Sequence, residues 1–314
     1  MKEITALVFP GQGSQKVGMG KDLNDNFQVA KEVFQTIDDI LKVNLSKIIF
    51  EGPSEDLTQT QNTQPALMAV SIALIKVLEK EFGKKINDIA SFVAGHSLGE
   101  YSALCASGAI SLENTARLLQ IRGNAMAKCS QRTEGSMAAI IGAEIDLVKE
   151  VVELASKDYG VCQFANDNSV GQIVISGSKN AINNAIIIAK EKGIKRALPL
   201  PVSGAFHSEL MQDAALEVKE ALQKIEIRSP SIPLIANVSA NITSDPTEIN
   251  KLLVEQITGQ VRWRETMLLM QDSGIKNIIE VGSGKVLAGL VSRTCKEVGS
   301  KSIQNLEDLQ SNFS

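Results

Sequence analysis

Apolar residues along the chain fall into short continuous runs and longer helical stripes. ITALVFPG is a strand-length apolar run that ends among the glycines Gly11, Gly13, Gly18 and Gly20, so it reads as a buried strand entering a flexible turn. IASFVAG repeats the pattern and ends in a second glycine turn, after which EYSALCASG is helical. Before it, TQPALMAVSIALIKVLEKEFG predicts a helix with Pro65 at its first position and Gly83 as its stop. Ser111 is placed to cap the helix LENTARLLQIRGNAMAKC. Towards the C-terminus, SELMQDAALEVKEALQKI predicts a helix, and IPLIANV and IKNIIEVG predict strands.

Between about residues 133 and 200 the pattern changes. SMAAIIG reads as a strand, DLVKEVVELASK as a helix, VCQFANDN and GQIVISG as paired strands, NAINNAIIIAKEKG as a helix and IKRALPLP as a strand. That order, βαββαβ, is the split motif of ferredoxin-like units. The expectation is an α/β protein: a core over 1–132 and 201–314 with a parallel sheet covered by helices on both faces, interrupted by a small unit over 133–200.

Composition narrows the function more than the fold. With 314 residues, 44% apolar and 22% charged, the chain is long enough to bury a sizeable core and shows no sign of disorder. A net charge of −4 argues against a nucleic-acid partner held on a broad basic surface. The four cysteines, Cys105, Cys129, Cys162 and Cys295, form no C-x-x-C pair, and with two histidines no metal cluster is expected. They read as buried thiols of a reducing compartment. Pro10 breaks the N-terminal apolar run before it reaches the length of a secretory or membrane segment. A cytoplasmic protein with no membrane contact is therefore expected.

The candidate chemistry starts at Gly95-His96-Ser97-Leu98-Gly99. A strand, G-x-S-x-G and then a helix is the setting of a nucleophile elbow, in which a strained turn exposes the serine and the helix N-terminus faces it. The plainer alternative is an ordinary serine in a βα turn. A nucleophilic serine needs a base. His96 sits inside the elbow and is expected to pack or hydrogen-bond beneath it, which leaves His207 in GAFHS. No carboxylate obviously completes a triad, since Asp146, Asp158 and Asp167 all fall in the inserted unit. The preferred arrangement is a dyad, with His207 oriented by a carbonyl or amide group. The backbone N–H groups of Leu98 and Gln12 are candidate oxyanion donors, although the glycines around Gln12 also suit a simple turn.

Thr115, Leu119, Arg122 and Met126 share one helical stripe, so Arg122 falls on or beside an apolar face. One reading is an internal ion pair or a side chain that reaches out to solvent. The other is a fork that grips a substrate carboxylate. A run of Lys190, Lys192, Lys195 and Arg196 is either an ordinary solvated stretch or a landing site for an acidic partner.

FPGQGSQ, TQPAL, GHSLGEYSAL, the IRG around Arg122, GQIVISG, GAFHS and VGSGKVL follow one another over nearly the whole chain. Together they resemble the malonyl-CoA:acyl-carrier-protein transacylases of fatty-acid synthesis and the acyltransferase domains of polyketide synthases. The resemblance implies an α/β-hydrolase-like core with a ferredoxin-like insert. It also implies transfer of malonyl from malonyl-CoA to acyl carrier protein through an acyl-serine, without a cofactor. By resemblance Ser97 is the nucleophile and His207 its base, and Gln256 supplies the carbonyl that orients His207. Leu98 and Gln12 donate to the oxyanion, Arg122 binds the malonyl carboxylate and Gln64 lines the pocket. Val170 and Ser283 stand where the family commonly has proline, which bears on local rigidity. Leu98 and GAFH resemble the malonyl-selective type, in which Phe206 would crowd a branched substituent. A serine hydrolase and a non-catalytic binding module are the rival classes. The missing acid and the placement of Arg122 argue against the first, and the intact Ser97 and His207 against the second.

Overall fold

The computed structural model describes residues 4–202 and 204–313. Its strands are β1 (Thr5–Phe9), β2 (Phe92–Gly95), β3 (Gly135–Ile141), β4 (Cys162–Ser169), β5 (Gln172–Ser178), β6 (Arg196–Pro199), β7 (Leu234–Ile235), β8 (Ile242–Thr243), β9 (Asn277–Val281) and β10 (Gly299–Ile303). They form two sheets. The larger has the order β10-β9-β1-β2-β7-β8; all its neighbours pair in parallel except the short hairpin β7–β8. Every residue of β1 is buried. Leu7 and Phe9 enter the core on one face, while Ala6 and Val8 enter the core on the other with Trp263 and Met267. Cover on both faces explains why β1 and β2 read as continuous apolar runs rather than alternating ones.

The smaller sheet is antiparallel, in the order β4-β5-β3-β6, as a βαββαβ unit of ferredoxin-like type would form. The helices Ile145–Tyr159 and Lys179–Glu191 cover one face through Ala138, Ile140, Ile173 and Ile175. The other face carries Met137, Ala139, Ala165 and Val174, and packs against Leu200, Val202 and Phe206. An apolar surface of the small sheet is thereby turned towards the segment that carries His207.

Three details differ from expectation. Pro65 lies inside a helix that starts earlier, Thr60–Glu81, because the amide-rich segment before it forms the first turn. Asn62 and Thr63 both donate to the Gln59 carbonyl at 2.8 Å, and the residues from Thr63 to Ile75 are buried. Burial of this face outweighs the single helical bond that an early proline removes. IPLIANV keeps only Leu234–Ile235 as strand, and the edge strand β10 carries too few apolar residues, in GSKSI, to stand out in the sequence. Among the described residues no helix is long and apolar enough to cross a membrane.

Candidate active site

Phe9 of β1 pairs with Gly95 of β2, so the loops that follow these strands, one with Gln12 and one with Ser97, leave the same edge of the sheet. The second loop is a tight elbow. Ser97 has φ 54°, a conformation that a side chain adopts only under constraint. The flanking glycines are required by contact. A Cβ on Gly95 would lie 1.9 Å from the Gly99 carbonyl carbon, and one on Gly99 would lie 2.2 Å from the Phe9 oxygen. Asn237 ties the elbow down: its Oδ1 accepts the Ser97 N–H at 2.8 Å, and its Nδ2 donates to the Gly95 carbonyl at 2.7 Å.

His207, also at positive φ (58°), meets the serine with Nε2 2.8 Å from Ser97 Oγ. Its Nδ1 faces the Gln256 and Gly259 carbonyls at 2.9 and 3.1 Å. Two acceptors on that side fix the proton on Nδ1 and leave Nε2 free to take the serine proton. Burial, and then the positive charge of Arg122, push the imidazole pKa down to about 3, so the base is neutral at physiological pH. Backbone carbonyls take the place of a triad acid. Of the aspartates in the small unit, Asp167 is engaged by Arg264 at 2.7 Å and Asp146 by Lys149 at 2.8 Å.

Arg122 is 1% exposed. Its Nη1 donates to Gln64 Oε1 at 2.7 Å, its Nη2 to Gln256 Oε1 at 3.0 Å and to Ser97 Oγ at 3.1 Å, and the guanidinium lies over the Tyr101 ring at 5.6 Å. All of these acceptors are neutral. Among the described residues it has no carboxylate within ion-pair distance, and it does not reach out to solvent. The internal ion pair considered from the sequence is therefore absent there. What remains is a buried cation beside the serine hydroxyl, held by neutral oxygens.

Gln64 is fully buried; its Oε1 receives Arg122 Nη1 and its Nε2 donates to Thr60 Oγ1 at 3.1 Å. Leu98 is the N-cap of the helix Gly99–Ala106. Among the described residues, neither the Leu98 nor the Gln12 backbone amide is taken by another group of the chain, while Gln12 Oε1 accepts from Thr60 Oγ1 at 3.0 Å. His96 is half-buried beneath the turn, with Nε2 2.8 Å from Asn168 Oδ1 and the ring edge-on to Trp263. A cleft of about 650 Å³ opens between Gln12 and Thr60 on one side and Pro201, Val202 and Phe206 on the other.

Val170 lies exposed at the β4–β5 turn, away from this constellation. Ser283 is buried, and its hydroxyl donates to the Ser14 carbonyl at 2.7 Å, a tie between two loops that proline could not make. In the basic run, Lys192 is paired with Glu150 at 2.7 Å, and Arg196 pairs with Ile141, at the opposite end of β6 from the segment that reaches the cleft. Two participants were not identified from the sequence, Glu100 and Asn237. Their signals were a charge in a helix of otherwise small and apolar character and an amide inside an apolar run.

Residues 6–312 match the family model of the acyl transferase domain. The malonyl CoA-acyl carrier protein transacylase of Bacillus subtilis is 43% identical over 97% of this chain and 95% of its own length. The acyl-carrier-protein-S-malonyltransferase of Bartonella henselae superposes with a TM-score of 0.94 at 51% identity, covering 98% of each chain. A structure of a type II PKS acyl-carrier protein in complex with its malonyl-transacylase matches with a TM-score of 0.94 at 36% identity, covering 99% of each chain. The chain belongs to the acyl transferase family and, within it, groups with the malonyl CoA-acyl carrier protein transacylases.

Proposed function

We propose that this protein moves a malonyl group from malonyl-CoA to the phosphopantetheine thiol of an acyl carrier protein, and so supplies extender units for fatty-acid synthesis. The observation that carries the reading is Arg122: a buried guanidinium 3.1 Å from Ser97 Oγ with only neutral acceptors around it. Such a charge is costly unless an anion arrives. A malonyl group attached at Ser97 brings a carboxylate to that place.

His207 takes the proton of Ser97 as the hydroxyl attacks the thioester carbonyl. The Leu98 and Gln12 amides stabilise the oxyanion. Coenzyme A leaves with the proton from His207, and the carrier thiol then attacks the malonyl-serine ester by the reverse sequence. Gln256 holds His207 through its carbonyl, Arg122 holds the malonyl carboxylate, and Gln64 holds Arg122. Residues 133–200 form a subdomain whose sheet packs, through Met137, Ala139, Ala165 and Val174, against Val202 and Phe206, which line the cleft. No cofactor enters this scheme. The four free cysteines fit a cytoplasmic location.

The test is intact-protein mass spectrometry with malonyl-CoA, followed by addition of reduced holo acyl carrier protein. A malonyl adduct on Ser97 that passes to the carrier is the expected result. An adduct that decays to malonate at the same rate with or without carrier would make the protein a hydrolase, and no adduct would leave a binding module. Comparison of a fatty-acid carrier with a polyketide carrier as acceptor separates the two pathways.

A further inference from the structure

Glu100 is buried beneath the elbow, 1% exposed, and takes no part in the scheme above. A single oxygen, Oε2, accepts two hydrogen bonds, from the Asn237 backbone N–H at 2.9 Å and from Gln256 Nε2 at 3.0 Å. Each donor belongs to a residue that holds a different part of the site. The Gln256 amide nitrogen also donates to the Ser97 carbonyl at 3.0 Å, its Oε1 receives Arg122 Nη2 at 3.0 Å, and its backbone carbonyl faces His207 Nδ1 at 2.9 Å. The Asn237 side chain receives the Ser97 N–H at 2.8 Å.

The chemistry of these groups fixes their order. A carboxylate only accepts and a guanidinium only donates, so the Gln256 amide between them has one allowed orientation, nitrogen to Glu100 and oxygen to Arg122. The amide thus carries the influence of a negative charge towards Arg122 without a direct ion pair. An incoming carboxylate can then meet the guanidinium without first displacing another carboxylate.

We propose that Glu100 is a positioning residue for acyl transfer, which through Gln256 and Asn237 sets the places of the nucleophile, its base and the carboxylate-binding arginine from one buried oxygen. The proposal rests on the transfer reading given above. Glu100 itself touches none of the reacting atoms.

A charged acceptor makes stronger hydrogen bonds than a neutral one, so the hold on Gln256 and Asn237 depends on ionisation of Glu100. Burial raises its pKa to about 7, against the lowering effect of the Asn237 and Gln256 hydrogen bonds and of Arg122 on the neighbouring helix Leu112–Arg132. Tyr101 lies beside it on its own helix, His207 lies beyond Gln256, and Lys76 on the packed helix Thr60–Glu81 is exposed.

The experiment is single-turnover malonylation of Ser97, read as coenzyme A release from pH 5.5 to 8.5, for the native chain, Glu100→Gln and Glu100→Ala. The native rate is expected to rise as pH increases through about 7. Glu100→Gln, which keeps an acceptor oxygen and the side-chain shape, is expected to run at the low-pH native rate across the whole range. Glu100→Ala is expected to lose roughly 100-fold in rate, since misplacement by about an ångström costs that much. If Glu100→Gln keeps the native rate and the native pH profile, the positioning role is wrong while the transfer reading stands. If the native chain forms no malonyl-serine at all, the transfer reading fails and takes this proposal with it.

Discussion

The Arg122 guanidinium donates to Ser97 Oγ at 3.1 Å and is held otherwise by the neutral oxygens of Gln64 and Gln256. On the proposed reading, a cation so placed is expected to discriminate between acyl groups with and without a carboxylate. Removing one partner of a buried, hydrogen-bonded charge pair costs about 2–5 kcal/mol. Arg122→Ala is therefore expected to lower the ratio of malonyl to acetyl transfer by roughly 30-fold or more, read from acylation rates with malonyl-CoA and acetyl-CoA. Arg122→Lys is expected to recover little of it, because an ammonium cannot form the two-pronged contact. Equal losses for both substrates would remove Arg122 from carboxylate recognition.

Stability should respond to pH through His207 and Glu100 with opposite signs. The folded-state pKa of His207 is lowered from 6.5 to about 3, so the unfolded chain binds the extra proton between those values. The native state is destabilised as pH falls below about 6.5, by on the order of 1 kcal/mol per unit. Glu100 is raised from 4.5 to about 7, so its contribution is present below about 4.5 and is lost as pH rises through about 7. In urea titrations between pH 4.5 and 6.5, the native chain should gain on His207→Ala as pH increases and lose on Glu100→Gln. Parallel stability curves would contradict either assignment.

Gly123, next to Arg122, sets how closely two helices approach. A Cβ there would lie 2.6 Å from Gln61 Cα and 2.9 Å from the Thr60 oxygen, both backbone atoms. Gly123→Ala must push the helices Leu112–Arg132 and Thr60–Glu81 apart, at a cost of about 1–3 kcal/mol. The same movement carries Gln64 away from Arg122. The expected outcome is a lower urea midpoint together with weaker discrimination in favour of malonyl-CoA. A variant with lower stability but native discrimination would show that Gln64 does not set the arginine.

Much of the site was legible because its chemistry is written locally. The elbow announces itself by glycines that bracket a serine between a strand and a helix. Arg122 announces itself by falling on an apolar stripe, and His207 by the scarcity of histidines. The missing parts depend on distance in sequence. Glu100 and Asn237 meet only because β2 and β7 are neighbours in the sheet, and nothing in GEYSAL or IANVS says which buried polar groups will pair. The start of the helix at Thr60 was hidden because tertiary burial overrides the local signal of Pro65. The hairpin β7–β8 and the edge strand β10 are short or polar, so periodicity alone does not mark them.

Asn237 offers a test of whether the elbow is held by side-chain hydrogen bonds or by its glycines alone. Its side chain accepts from the Ser97 N–H at 2.8 Å and donates to the Gly95 carbonyl at 2.7 Å, while its backbone N–H goes to Glu100. Substitution of the side chain leaves the last bond in place. Asn237→Ala strands a buried donor and a buried acceptor, at a cost of about 1–3 kcal/mol for each group left unpaired. Asn237→Asp keeps the acceptor for Ser97 but cannot donate to Gly95, and it sets a second carboxylate near Glu100. The aspartate variant should therefore be the less stable of the two above pH 7, where both carboxylates are charged, and should recover as the pH is lowered. Urea midpoints at pH 6 and pH 8, with malonylation rates measured beside them, decide the matter. If both variants acylate at the native rate, the strained conformation of Ser97 is set by Gly95 and Gly99 without help from Asn237.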